Sequence, residues 1–470
     1  MKIGLLLCCI FLTSSSIQSR SNSEIVVNGY DKDGQCTQES IEKALIILRQ
    51  HNGGVLRLKK NGAYSIKPQK EHVFELPSHV YVKGRGATFV IEDGSNTQSF
   101  TWGAIFYADK KSDIVLEDIN LDANGKNNPV LQKNGTYGWS CRNGLISALN
   151  TKDITIRNCK VTDVKGYGCI HLTYCDNVII EGCEFTEIGV SRKNEYISDA
   201  SVIMGVGNNW LIQNNVMRNS YLSDCGTGLD LACSYSTIKN NIVESFWAGA
   251  NLANNGVTDC RGNTLELNDF VNNDTAIFLW ATIAPYKGSC YDNIIKNNRI
   301  VWEPRNGWGA RGIDMAFFVY GEVYNIVVKD NVFNAPVDKP LPPNSFEMAV
   351  NIGPVATTYS GKPNDYGKVR DVKIENNEIE GCTGPAIMVD MNSEDIIIKD
   401  NVLTKVSRGN VTYSVKSAFV VTNTTNDETK GPRKVLLSGN KVLSSDENCR
   451  QLIFVKKADV KVGKDNEFVK

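Results

Sequence analysis

Two polar residues stand where apolar ones would be expected. His171 sits between Ile170 and Leu172 in the stretch GYGCIHLTYCDN, and Asp230 between Leu229 and Leu231 in GTGLDLAC. Residues two apart in a strand share a face, so each polar side chain points away from its apolar neighbours. A histidine titrates near neutrality and can take or give a proton at working pH, although a solvated histidine without a role produces the same pattern. Asp230 adds nothing to packing among leucines. Asp224 and Asp199, each just ahead of a run of apolar residues, are further carboxyl groups that could meet Asp230 in one wall, or simply bond nearby amides as turn residues. The stretch SRKNEYISDA gathers Arg192, Lys193, Glu195, Tyr196 and Asp199 into one charged loop, suited to ligand contacts or to solvation alone. Tyr167 and Trp280 offer ring faces, and Arg311 a guanidinium of the kind that grips a carboxylate through two parallel hydrogen bonds.

These residues are positioned by a repeat. NGLISALNTKDITIRNCKVTDV, GYGCIHLTYCDNVIIEGCEFTEI, GTGLDLACSYSTIKNNIVESF, RGIDMAFFVYGEVYNIVVKDNVFN and GPAIMVDMNSEDIIIKDNVLTKV each read as strand, turn, strand, tight polar corner, strand. Small or amide residues mark the corner: Cys159, Cys183, Asn215, Asn241, Asp269, Asn298, Asn331, Asn377, Asn401, Asn440 and Asn466, with shorter spacings of 24 or 26 residues. One such coil cannot bury its apolar face alone, so coils must stack into a solenoid whose corner amides bond to one another and tolerate a left-handed backbone. Alternation then places Ile170, Leu172, Leu229, Leu231, Ile277, Leu279, Ile313 and Met315 inward. The outward column becomes Ser147, His171, Ile203, Asp230, Asn251, Phe278 and Asp314.

Composition excludes several classes. The 470 residues are 41% hydrophobic, ample for a large core, and 51 basic residues against 52 acidic ones give no global field for nucleic acid. Residues 1–19, with one lysine, an apolar run from Ile3 to Leu12 and then small polar residues, read as a cleaved signal peptide. They imply a secreted or periplasmic protein, and no later run is long enough for a membrane span. Fourteen cysteines include no C-x-x-C pair, and Asn134, Asn273, Asn410 and Asn423 head glycosylation sequons. H-E-x-x-H, G-x-S-x-G and G-x-x-x-x-G-K motifs are absent.

The coils from about Trp102 to Lys470, and their asparagine corners most of all, resemble the right-handed parallel β-helix of the pectin-lyase-like superfamily. The resemblance implies an all-β fold: one solenoid of about 12 coils over residues 101–470, with a small N-terminal α/β cap and first coils over residues 20–100. In DKDGQCTQESIEKALIILRQHNGGVLRL a helix with Ile41, Ala44, Leu45 and Leu48 on one face would cover the first coil, although Thr37-Gln38-Glu39 stands where the family usually has an acidic pair.

Enzymes of this superfamily bind polysaccharide or oligosaccharide along the strand that precedes the asparagine-cornered one, which is the strand carrying the column above. The resemblance therefore implies a secreted enzyme acting on an acidic, uronate-containing glycan by β-elimination or C5-epimerisation. His171, Asp230, Asp224 and Tyr167 would be catalytic, and Arg192, Lys193, Tyr196, Asn251, Trp280, Arg311 and Asp314 substrate-binding. Calcium is an open option, with Asp199 a candidate ligand. A glycoside hydrolase pairing Asp224 or Asp199 with Asp230, and a non-catalytic carbohydrate-binding solenoid, are the alternatives. Asp314, three coils from Asp230, would be too distant to pair with it directly. The polygalacturonase motifs Asn-Thr-Asp, Asp-Asp, Gly-His-Gly and Arg-Ile-Lys, and the Asp-Pro-His core of mannuronan epimerases, are missing.

Overall fold

The computed structural model describes residues 25–469 apart from 98–99, 129–142, 167, 190–199, 221–225, 255–257, 282–287, 303–310, 316–320, 336–346, 354–366, 409–415, 425–427 and 444–448. The signal segment expected at residues 1–19 lies outside the described residues.

Strands end where the chain must turn within one residue. Asn214, Asn240, Leu267, Asn297, Asp330, Asn376 and Asp400 take φ between 54° and 57°, the left-handed region that Asn and Asp reach most easily among non-glycine residues. Each strand pairs in parallel with its counterpart one coil on, as Ile180 with Ile212 and Val327 with Lys373. The strands form a 29-stranded and a 13-stranded sheet. The smaller sheet takes one strand per coil, from His72–Glu75 to Gln451–Lys456, so its strands number thirteen coils where the repeat predicts about twelve.

The corner amides form a continuous ladder. Each Nδ2 donates to the Oδ1 of the next coil at 2.9–3.0 Å from Asn215 through Asn241, Asn268, Asn298, Asn331, Asn377, Asn401 and Asn440 to Asn466. Two details correct the sequence reading. The corner residue after Asn241 is Asn268, not Asp269, which opens the next strand and pairs with Arg299 at 2.8 Å. From Asn215 to Asn440 the left-handed residue is the one before the rung, which leaves the rung in an ordinary conformation with its amide turned inward. Cys159 and Cys183 continue the column, the Cys183 N–H donating to Asn215 Oδ1 at 2.9 Å. The ten described cysteines are free thiols, nine of them buried, and burial pushes the thiols of Cys169, Cys175 and Cys233 up. Of the sequons, Asn273 and Asn423 have buried side chains, which closes those amides to a glycan.

The eight residues read as inward, from Ile170 to Met315, are all buried in one core. One coil departs from the pattern. The inward position in line with Leu172 and Leu231 is Gly205, and Trp210 fills the gap, since a Cβ at Gly205 would lie 1.9 Å from the indole Cη2. A glycine at a core position disguises the alternation. Ile203 is therefore the core residue beside Ile170 and Leu229, and Met204 takes the outward place.

At the N-terminal end the helix Gln38–Gln50 begins at Thr37, whose Oγ1 accepts from the Ser40 N–H at 3.1 Å, and it buries Ile41, Ala44, Leu45 and Leu48 against the core as its spacing predicts. Gly53 then turns the chain at φ 120°, where a Cβ would meet the His79 carbonyl oxygen at 2.3 Å. Among the described residues no helix is long and apolar enough to cross a membrane.

Candidate functional site

The outward column of the 13-stranded sheet is set by parallel register. Tyr107, Ser147, His171, Met204, Asp230, Asn251, Phe278, Asp314, Asn351 and Met388 succeed one another one coil apart. His171 and Asp230 are two coils apart, about 9 to 10 Å along the axis, as their alternation with leucine and isoleucine predicts.

This face is not the open surface that alternation suggests. His171 and Asn251 are each 8% exposed, Asp314 is 3% and Asn351 0% exposed. Buried polar groups must find partners, and here they find one another. Near the middle of the column the Asn251 Nδ2 donates to Asp230 Oδ1 at 2.9 Å, while the Trp280 indole N–H donates to Asn251 Oδ1. His171 Nε2 lies 3.5 Å from Thr173 Oγ1.

Farther along, three charged groups meet. Arg311 opens the strand Arg311–Met315, and its Nη1 donates to Asp314 Oδ2 at 2.6 Å, three residues on, a contact that strict strand alternation does not provide. Its Nε is 3.7 Å from Glu347 Oε2, immediately ahead of the next strand, Met348–Ile352. The Asn351 Nδ2 closes the group on Asp314 Oδ1 at 2.8 Å. Burial raises the Glu347 carboxyl above its ordinary value, and Arg311 offsets part of that rise. One coil further, Asp390 is fully buried and accepts from the Met391 N–H at 2.7 Å and from the Thr424 N–H at 3.1 Å and hydroxyl at 2.9 Å. Burial still pushes it up to about 6.

The structure thus brings Asp230, Asn251 and Trp280 together, and separately Arg311 and Asp314, while His171 stands two coils before Asp230. Tyr167, Arg192, Lys193, Tyr196, Asp199 and Asp224 lie outside the described residues. Among the described residues no three His, Cys, Asp or Glu side chains are close enough to hold a metal ion. Sequence reasoning missed Glu347, Asn351, Asp390 and Trp247. The signal for the first two was the alternation in EMAVNI, where Asn351 occupies the place of Asp314 one coil on. Trp247 stands just ahead of the strand Ala248–Ala253. It is 36% exposed and stacks on Phe278, with ring centroids 5.3 Å apart.

Residues 122–339 match the family described as a right handed beta helix region. No curated protein matches the chain in sequence. Among solved structures, the tailspike protein of E. coli bacteriophage HK620 in complex with a pentasaccharide superposes with a TM-score of 0.62, at 11% identity over 93% of this chain and 80% of that one. A hyperthermoactive exopolygalacturonase from Thermotoga maritima does so with a TM-score of 0.53, at 15% identity over 92% of each chain. The family match and these superpositions agree with the ladder and the parallel register: the chain folds as a right-handed parallel β-helix, the fold implied by its resemblance to the pectin-lyase-like superfamily.

Proposed function

We propose that the protein is a glycan-active enzyme that hydrolyses a glycosidic bond over the outward face of the 13-stranded sheet, with Glu347 and Asp314 as its two carboxyl groups. The fold alone does not choose a reaction, so the reading rests on the site. The observation that carries it is the shared guanidinium: Asp314 and Glu347 both lie within 4 Å of Arg311. Their oxygens are therefore no more than about 9 Å apart, which does not exceed the widest separation at which two carboxyl groups flank a glycosidic bond. Burial that raises the Glu347 carboxyl above its ordinary value suits a general acid. Glu347 would pass that proton to the leaving oxygen as the C–O bond breaks. Asp314, paired with Arg311, would take a proton from the water whose oxygen forms the new bond. Two solved structures of this fold, one an exopolygalacturonase and one a tailspike in complex with a pentasaccharide, support a glycan as the class of substrate.

Proton abstraction next to a uronate carboxyl, by elimination or epimerisation, is the second reading. It is favoured by the placement of His171 two coils from Asp230 on one column. It needs a cation for the uronate carboxylate, and Arg311 is already engaged by two carboxyl groups. The test is product analysis on a panel of uronate-containing and neutral glycans. New reducing ends without ultraviolet absorbance, lost in Glu347→Gln, support hydrolysis. An ultraviolet-absorbing unsaturated product that survives Glu347→Gln and is lost in His171→Ala supports elimination instead.

A further inference from the structure

We infer that the glycan bound at this site is uncharged, and that one of its sugar rings packs on Trp247. The inference rests on the glycan site proposed above and adds its substrate class. Two observations carry it.

The first is the aromatic pair. Phe278 lies in the outward column between Asn251 and Asp314, that is, between the Asp230–Asn251–Trp280 group and the Arg311–Asp314–Glu347 group. Trp247 stacks on Phe278 with an interplanar angle of 26°, and at 36% exposed it keeps a large apolar area in water beside half-buried Asp230, Phe278 and Trp280. An indole held rigidly on a second ring has already lost its side-chain freedom, so a ligand that covers it meets little further entropic cost. The faces of pyranose rings present C–H groups, which pack against such a surface, while their hydroxyls reach the amides and carboxyl groups on either side.

The second is charge. Across the five consecutive strands Thr227–Ser234, Ala248–Ala253, Thr275–Trp280, Arg311–Met315 and Met348–Ile352, the acidic and basic residues are Asp230, Arg311 and Asp314, with Asp274 and Glu347 one residue ahead of their strands. Among these described residues four carboxyl groups stand against one cation, and that cation is bonded to Asp314. A chain of uronates would bring further negative charge into a wall of the same sign where water is scarce and screening weak. Neutral hydroxyls meet the same carboxylates and amides as hydrogen-bond donors and acceptors.

The test is calorimetric titration of the full-length protein with cellopentaose, xylopentaose and β-1,4-galactopentaose, and with pentagalacturonate, at low and high salt. At least one uncharged pentaose is expected to bind, and pentagalacturonate to bind more weakly at low salt than at high. Trp247→Ala should weaken the uncharged ligand about tenfold or more, the loss of one stacking contact, and Trp247→Phe should restore most of the affinity. Unchanged melting of both variants shows that the effect is on the site. The inference is overturned if none of the uncharged pentaoses binds, if pentagalacturonate binds most tightly, or if Trp247→Ala binds as the parent does. The parent protein separates this from the reaction: a parent that binds an uncharged pentaose and releases no reducing ends from it sinks the hydrolase reading and leaves the stacking site in place.

Discussion

Replacing Asn268 and its neighbour Asp269 by leucine tests the register of the whole solenoid, because the two residues differ by one position and by everything they hold. Asn268 is 1% exposed, and its side chain makes four hydrogen bonds at 3.0 Å. It accepts from the N–H and the Nδ2 of Asn241 and donates to the Ile238 carbonyl and to Asn298 Oδ1. Leucine removes all four and leaves a buried backbone N–H, an amide proton and a carbonyl without partners. At about 1 kcal/mol net per bond, and more for each buried group left unsatisfied, the cost is about 4 kcal/mol. Asp269 pairs with Arg299 at 2.8 Å on a surface where the arginine and aspartate side chains are 53% and 36% exposed. Its loss is worth at most about 1 kcal/mol. A chain of this length has an unfolding entropy of about 1 kcal/mol/K near its melting point, so Asn268→Leu should melt about 4 °C lower and Asp269→Leu within about 1 °C of the parent. Differential scanning calorimetry at one scan rate reads both. Equal shifts, or the larger shift in Asp269→Leu, would refute the ladder assignment and with it the placement of every outward residue.

The other predictions concern single groups. Glu347→Gln should lower hydrolytic turnover at least about a hundredfold, measured as reducing ends released, while His171→Ala should retain activity to within about tenfold. Asp390 has a folded pKa of about 6 against an ordinary value of 3.8, so the folded protein binds the extra proton and stability falls as pH rises from about 4 to about 6. Asp390→Asn, which can keep the bonds from Met391 and Thr424, should remove that slope in pH-dependent melting and stabilise the protein at pH 7 by about 3 kcal/mol; an unchanged slope would show that Asp390 ionises freely when folded. Gly205→Ala should cost about 1 to 3 kcal/mol in thermal unfolding, because its Cβ enters the space of the Trp210 ring, and unaltered melting would show that the ring lies elsewhere.

The fold was legible because two signals of different origin agree in it. Apolar alternation reports what must be buried, and the corner amides report where the backbone must turn, and both recur with each coil. The errors came where one signal had two adjacent candidates. Asn268 and Asp269 are both corner-like residues, and only the hydrogen bonds distinguish them. Gly205 leaves an inward position without a side chain, so Ile203 could be assigned to either face until Trp210 is seen to fill the gap. In an isolated strand such a slip would turn every residue around. Here the neighbouring coils hold Ile203 between Ile170 and Leu229, which confines the error to one strand.

The site was less legible for a reason that follows from the fold itself. Alternation separates inside from outside only where the outside is wet. On this sheet part of the outward face is buried too, with Asp314 and Asn351 nearly as inaccessible as the isoleucines beside them, while Met204, Asp230 and Phe278 are half-buried. Burial therefore cannot be inferred from polarity here, and the chemistry of Glu347 depends on a burial that nothing in its local sequence announces. Arg311 reads from sequence as a free guanidinium able to hold a uronate. In the fold it is held by Asp314, three residues along its own strand, and by Glu347, 36 residues away in sequence and one coil away in space. Alternation would set Arg311 and Asp314 on opposite faces, so neither contact could have been inferred from strand geometry, and it is the second that changes the reading. A guanidinium shared by two carboxyl groups is less able to recruit an anion; it draws them to within about 9 Å of each other, and two neighbouring carboxyl groups are what the proposed hydrolysis of a glycosidic bond would use.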